Sequence, residues 1–365
     1  MSSLQYVLAP AWVAFMAVFS HAAGMSRRER VLGRTERRAT WLYAIFLILP
    51  LIIFAGTRSL SFGDGHAYWA SYRAIPDVFA GKIQHVQSAP KDPGYYALEA
   101  LISIFFPRNR IAYFTIIAAL HMFCLAKTYR RYSEDFWLAM FVFVASTDYL
   151  SWVQNGTRQF LAVVIAFAAS GLLFKRKLIL YSIVVLFASM FHKSTLLLIP
   201  IGFIVQGRAW NWKTLVVLLF TALAIAFVGT FTDLLGSALE DTQYGNIVSD
   251  MQYYQDDGTN PLRVLVYSVP TILSLFCRKK IAREGGRVVQ IACNMSIVST
   301  ALYLVSMATS GVLIGRLPIY CSLYASGILL PWELKHAYGN LMRILAIVCY
   351  LGFYFMQIVL VWGLL

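Results

Sequence analysis

The chain has 365 residues, 59% hydrophobic and only 13% charged, with a net charge of +14 at pH 7 and a mean hydropathy of +0.65. Ordinary globular chains are about a quarter charged, so this composition cannot cover a water-facing surface, and a set of soluble domains is excluded. The basic excess sits in short clusters between apolar runs, as in cytoplasmic membrane loops rather than in a nucleic-acid binder, and five cysteines without a CxxC exclude a disulfide framework or zinc ribbon.

A bilayer core of about 30 Å needs roughly 20 apolar residues of helix. That length predicts an all-α polytopic membrane protein, a single membrane domain over 1–365, with about twelve transmembrane helices. They fall at 4–23, 40–56, 111–126, 136–150, 157–174, 178–191, 194–207, 214–231, 262–277, 288–309, 316–332 and 344–364. The stretch 178–207 reads either as one long helix or as a short hairpin turning at His192-Lys193. Charge favours the hairpin. With two passes there, one side collects the arginines of 27–38, the clusters 127–131, 175–177 and 278–287, and four further cations, Arg208, Lys213, Lys335 and Arg343. That is 21 basic residues against 6 acidic ones, leaving 10 basic and 11 acidic on the other side. One pass would move 278–287 outside, against the positive-inside rule. The first apolar run has no basic residue before it and six arginines after it, the reverse of a secretory signal. Both termini are therefore expected outside the cytoplasm. There is no GxxxxGK[ST], so a single-chain ATP-driven pump is excluded.

Two sizeable segments are expected on the extracytoplasmic side, 57–110 and the acidic 232–261. In the first, Asp64, Tyr68 and Tyr72 are spaced for one helix face, with Asp64 placed to cap it. Pro93 after Asp92 starts a second helix. Its run ALEALISIFF places Leu98, Ile102 and Phe105 along one side, with Glu99 within it, and reads as an interfacial helix on the outer leaflet. A plain amphipathic lid accounts for the same pattern.

Asn155-Gly156-Thr157-Arg158-Gln159 opens the fifth span, and an arginine at a helix N-terminus makes an anion site. The alternative is an arginine snorkelling to lipid phosphates. His192-Lys193-Ser194 lies at the hairpin tip, where ionisable groups at membrane depth point to function, although a polar turn would also serve. Arg316, at the entrance of the eleventh span, is either an anion ligand or an anchor. Asp256-Asp257 is an adjacent acidic pair without a DxD or a nearby histidine, so no metal or cofactor is expected. Arginines suit phosphate through bidentate hydrogen bonds, and aromatic faces suit sugar rings.

Taken in order, Arg58, Asp64-x3-Tyr68-x3-Tyr72, Asp92-Pro93-Gly94-Tyr95, Asn155-x2-Arg158-Gln159-x2-Ala162, Phe191-His192-Lys193-Ser194 with Pro200, and Arg316-x3-Tyr320 resemble the EpsG family of Wzy-type polysaccharide polymerases. Two positions depart from its pattern: Gly-x-Asp is compressed to Gly63-Asp64, and Glu-Pro is Asp92-Pro93. The resemblance implies a bacterial inner-membrane glycosyltransferase. It would join repeat units carried on undecaprenyl diphosphate at the periplasmic face, making O-antigen, capsule or exopolysaccharide, with lipid-linked donor and acceptor, the bilayer and a chain-length regulator as partners and no nucleic acid. On that reading Asp64, Arg158 and His192 are catalytic, with Asp64 or His192 taking the acceptor proton. Arg58, Tyr68, Tyr72, Asp92, Tyr95, Asn155, Gln159, Lys193, Arg316 and Tyr320 bind substrate, the arginines at the diphosphate. A transporter of lipid-linked sugars would show helix-repeat symmetry, which the sequence lacks. A ligase acting on the same donor shares the chemistry.

Overall fold

Two units divide the chain in the computed structural model, Met1–Leu196 with Gly339–Leu365, and Leu197–Tyr338. The described residues are 4–22, 24–32, 34–88, 91–239 and 258–365, and they are overwhelmingly helical.

In the first unit α1 (Leu4–Ala22) is followed by strands β1 (Ser26–Val31) and β2 (Arg34–Ala39), then α2 (Trp41–Gly56), α3 (Gly65–Arg73), α4 (Phe79–Gln87), α5 (Pro93–Phe105), α6 (Arg110–Tyr132) and α7 (Phe136–Ala145). A π-helical turn, Tyr149–Asn155, precedes α8 (Thr157–Ala168), α9 (Ser170–Phe174) and α10 (Leu178–Ser189), and helix Gly339–Met356 completes the unit. Every residue of α7 except Trp137 is buried, as expected of a helix apolar all round that runs through a core. The core around it is filled by α2, α6 and α8, and His121 of α6 bonds the carbonyl of Thr157 at 3.1 Å.

The all-helical expectation needs one correction. Strands β1 and β2 pair antiparallel, so that Arg28 faces Arg37 and Glu29 faces Glu36. Like charges directly opposite are unfavourable, and the pair stands because α6 neutralises one face. Arg130 binds Glu29 through both guanidinium nitrogens, at 2.7 and 3.1 Å, and donates to the carbonyl of Ala39. Arg38 pairs with Glu36 and reaches the carbonyl of Ser133.

In the second unit helix Arg287–Ala308 is central, flanked by Trp212–Ala226 and Pro261–Phe276. Several of its polar residues find partners within the unit: Thr271 meets Ser296 and Thr300 at 2.6 and 2.8 Å, and Asn294 donates to the carbonyls of Val205 and Arg208, whereas the buried Ser299 hydroxyl makes no hydrogen bond. Polar groups in apolar surroundings require such partners.

Among the described residues three helical runs are long and apolar enough to cross a membrane, Arg110–Tyr132, Arg287–Ala308 and Ile314–Val361, or up to six if each bent pair is one span. The bent pairs include Phe136–Ala145 with Tyr149–Asn155 at 77° and Trp212–Ala226 with Val228–Leu234 at 102°. These make a helical membrane protein. The 178–207 stretch is broken where the sequence places its turn: α10 ends at Ser189, a 3₁₀ turn spans Lys193–Leu197, and helix Leu198–Ile204 follows. Of the acidic segment 232–261, residues 240–257, and Asp256-Asp257 with them, lie outside the described residues.

Candidate functional site

Between Arg58 and Phe106 the described residues form three short helices, of which α3 and α5 carry or adjoin the predicted residues. Gly63, at φ 53°, lets the chain turn against Asn155, since a Cβ there would sit 2.1 Å from the Asn155 Oδ1. The same oxygen accepts from the Asp64 N–H at 2.8 Å. Asp64 stands at the N-cap of α3, but its side chain makes no capping bond and its carboxylate is exposed, so its expected capping role is not met. Tyr68 and Tyr72 do form the buried face of α3. Tyr72 donates to the carbonyl of Phe106 at 2.6 Å and stacks on Tyr113 at 4.2 Å. Burial, helped by Glu99, pushes its hydroxyl up to about 12.

Helix α5 starts at Pro93 as the sequence indicates, and it turns a largely polar face inward. Tyr95, Glu99, Ala100, Ile102 and Ser103 are buried, whereas Leu98 is only half-buried and Phe105 points out with Leu101 and Ile104. The inner face is a hydrogen-bonded chain. Tyr95 donates to Tyr113 at 2.9 Å and Tyr113 to Glu99 Oε1 at 2.6 Å. The other oxygen of Glu99 accepts from Ser71 at 3.0 Å and meets His85 Nε2 at 3.2 Å. Glu99 is fully buried, and this ring of donors holds it in place. As a lone carboxylate in an apolar helix, Glu99 was visible in the sequence; its partners Tyr113, Ser71 and His85 carried no signal.

Asp92 and Arg158 are brought together across 66 positions of sequence. The Arg158 Nη1 lies 3.2 Å from Asp92 Oδ2, with the aspartate side chain 8% exposed and the arginine 36%. Arg158 sits in the first turn of α8, its backbone N–H directed at the Tyr68 hydroxyl at 3.4 Å and its guanidinium 5.8 Å from the Tyr68 ring. The Arg158 Nε is buried and makes no hydrogen bond within the protein. Burial pushes the Asp92 carboxyl above its ordinary value, against the opposing pull of Arg158, Lys193 and Lys91.

The hairpin tip joins this cluster through Gly94, whose N–H donates to the carbonyl of Met190 at 2.8 Å. A Cβ on Gly94 would lie 2.9 Å from Met190, so only glycine allows α5 to dock there. His192 follows, half-buried, with Nδ1 2.7 Å from the Ser194 hydroxyl, while Lys193 is exposed. Gln159 is buried in the first turn of α8.

Arg58 takes a deeper position. It is 2% exposed, donates to the carbonyl of Val153 at 2.9 Å and lies 3.9 Å from the centroid of Phe114. Its Nε and Nη2 make no hydrogen bond. Burial holds its pKa below the usual arginine value, opposed by Tyr95, Tyr113, Tyr68 and Tyr149. Val153 and Asn155 both belong to the π-helical turn, which begins just after Thr147 at φ 70°. A β-branched residue at positive φ is a true outlier, and this strained corner delivers the two groups that hold Arg58 and Asp64.

In the second unit Arg316 is exposed at the end of a 3₁₀ turn, Ile314–Arg316, and Tyr320 is buried at the start of helix Ile319–Tyr324. Among the described residues no three His, Cys, Asp or Glu side chains are gathered as a metal would need.

The model of the EpsG family matches residues 41–363. No curated protein matches the chain, and no solved structure does.

Proposed function

The chain belongs to the EpsG family of Wzy-like polysaccharide polymerases, and from that premise we propose that it polymerises oligosaccharide repeat units carried on undecaprenyl diphosphate at the periplasmic face of the bacterial inner membrane, to make an O-antigen, capsule or exopolysaccharide. About twelve crossings with the basic clusters inside supply the orientation, supported by the 21-to-10 division of basic residues. The observation that carries the reading is the Asp92–Arg158 pair, ringed by Tyr68, Asn155 and the Lys193 tip. A guanidinium fixed by a carboxylate and still partly open to solvent, next to aromatic rings, suits a substrate that is both sugar and diphosphate.

In the reaction an acceptor hydroxyl oxygen bonds to the donor's anomeric carbon, and the bond from that carbon to the diphosphate oxygen breaks. The electron pair leaves with the lipid diphosphate. Charge builds on the leaving oxygens, and Arg158 and Lys193 stabilise it there. The hydroxyl proton passes to Asp92, whose raised pKa favours accepting it. Asp64 and His192, the other proton acceptors the sequence suggests, bind acceptor hydroxyls with Asn155 and Gln159. Tyr68, Tyr72 and Tyr95 form the wall, and Arg58 lends positive charge from beneath it. Arg316 and Tyr320 bind substrate as the family resemblance implies. With arginine and lysine supplying the positive charge, no metal takes part. A chain-length regulator is the protein partner.

The test is the glycan ladder of a deletion strain. Loss of the ladder with a single capped repeat remaining is the expected outcome. Loss of all surface glycan with polymer accumulating on undecaprenyl diphosphate would instead identify a ligase, and an unchanged ladder would remove the assignment.

A further inference from the structure

The first unit holds a second basic site, far along α8 from Arg158. A cavity of about 250 Å³ opens between the C-terminal turn of α6 and the end of α9, lined by Lys127, Arg131, Lys175 and Lys177 together with Tyr132 and Leu172. No carboxylate lines it among the described residues. Arg158 stands in the first turn of α8, and Ala168, at its end, lines the cavity about 15 Å away at 1.5 Å per residue.

Basic residues at helix C-termini have an ordinary use, offsetting the helix dipole. Two helices end here, each presenting about half a negative charge, and four cations exceed that several-fold. Three carboxylates of this unit have other partners: Glu29 is bound by Arg130 and also acts on Arg131, Asp135 pairs with Arg343 at 2.6 Å, and Glu134 acts on Arg38, while none of them lines the cavity. The surplus calls for an external anion. The volume lies below the roughly 300–1,000 Å³ of sites that enclose a drug-sized ligand, which suits a phosphate-bearing headgroup better than a nucleotide.

The surroundings indicate where that phosphate comes from. On α6, Leu120, Phe123, Lys127 and Arg131 follow one another along a single exposed stripe, apolar first and cationic last. On α10 the exposed Ile179, at 79%, with Leu180 and Ile183, begins directly after Lys177. Both apolar faces lead into the cationic mouth, the profile of a lipid whose acyl chains lie along the helices and whose phosphate enters the cavity. A soluble anion has no use for them. We propose that this cavity binds the phosphate of an anionic phospholipid, and that the lipid belongs to the cytoplasmic leaflet. Only the leaflet rests on the orientation proposed above.

The test uses full-length protein in detergent and native mass spectrometry with dioleoyl phosphatidylglycerol, dioleoyl phosphatidylcholine and inorganic phosphate. Wild type is compared with the triple variant Lys127→Gln, Arg131→Gln, Lys175→Gln and with an equal charge loss elsewhere, Arg278→Gln, Lys279→Gln, Arg283→Gln. Phosphatidylglycerol should occupy a saturable site in wild type and in the second triple. It should weaken about 100-fold in the first, and phosphatidylcholine should not bind there. The single variants, each weakening by about five-fold, give the same reading if the triple fails to fold. Equal phosphatidylglycerol binding in the two triples would overturn the proposal, as would displacement by millimolar phosphate, which would make the cavity a free-anion site. Binding in detergent is blind to sidedness and to polymerisation, so its failure is distinct from failure of the proposed function.

Discussion

The carboxylate of Asp92 and the guanidinium of Arg158 lie 3.2 Å apart, the first nearly buried and the second open to solvent on one side. That asymmetry separates their roles. The aspartate experiences the protein interior, whereas the arginine keeps donors that can reach an incoming anion.

The pair makes stability and activity run in opposite directions with pH. Burial raises the Asp92 pKa above its ordinary 3.8, so Asp92 contributes stability that is complete below that value and is lost as pH rises through the raised one. Proton acceptance needs the ionised form and appears over the same window. Melting curves of wild type and Asp92→Asn between about pH 4 and about pH 7 should differ in slope there, wild type losing more with rising pH, while wild-type polymerisation climbs. Parallel stability curves would show that Asp92 titrates like an exposed carboxylate.

Glu99 is predicted to organise the wall rather than react. Glu99→Ala strands the Tyr113 hydroxyl, Ser71 and His85 in the interior and should cost about 1–3 kcal/mol. Tyr113→Phe, which leaves one Glu99 oxygen and the Tyr95 hydroxyl short of a partner, should cost about 1 kcal/mol. Thermal unfolding in detergent checks both. An unchanged midpoint in Glu99→Ala would show that the buried chain contributes nothing to the fold.

Orientation is tested by cysteine labelling in intact cells, on a background from which the exposed Cys349 has been removed. Ser88→Cys should react with a membrane-impermeant thiol reagent, and Arg28→Cys and Lys279→Cys should be protected. Labelling at Lys279→Cys with protection at Arg28→Cys would contradict two passes over 178–207.

Much of the scaffold was legible in the sequence because it depends on local chemistry. Pro93 set the start of α5, the break before Lys193 fell where a polar triplet interrupts apolar residues, and the spacing of Tyr68 and Tyr72 gave the buried face of α3. The inner face of α5 is not the one that apolar spacing would pick, because the usual rule is reversed here. Its apolar side, Leu101, Ile104 and Phe105, faces outward, and its polar side, Tyr95, Glu99 and Ser103, faces the core. The pair β1–β2 reads as a charged loop because its strands lack apolar alternation and depend on Arg130, about 100 residues away. Asp92 and Arg158 were each visible, but their pairing was not, since it depends on how α5 docks against Met190 and α8.

The central claim, that Arg158 holds the departing diphosphate, is tested most directly by the polymer made by Arg158→Ala and Arg158→Lys at equal membrane abundance. Losing a donor that acts on transition-state charge costs about 10²–10³ in rate, so the alanine variant should abolish the ladder. Lysine keeps the charge but loses the planar fork that also holds Asp92, so it should restore only part of it. Near-normal ladders in both variants would contradict the account and reduce Arg158 to a membrane anchor.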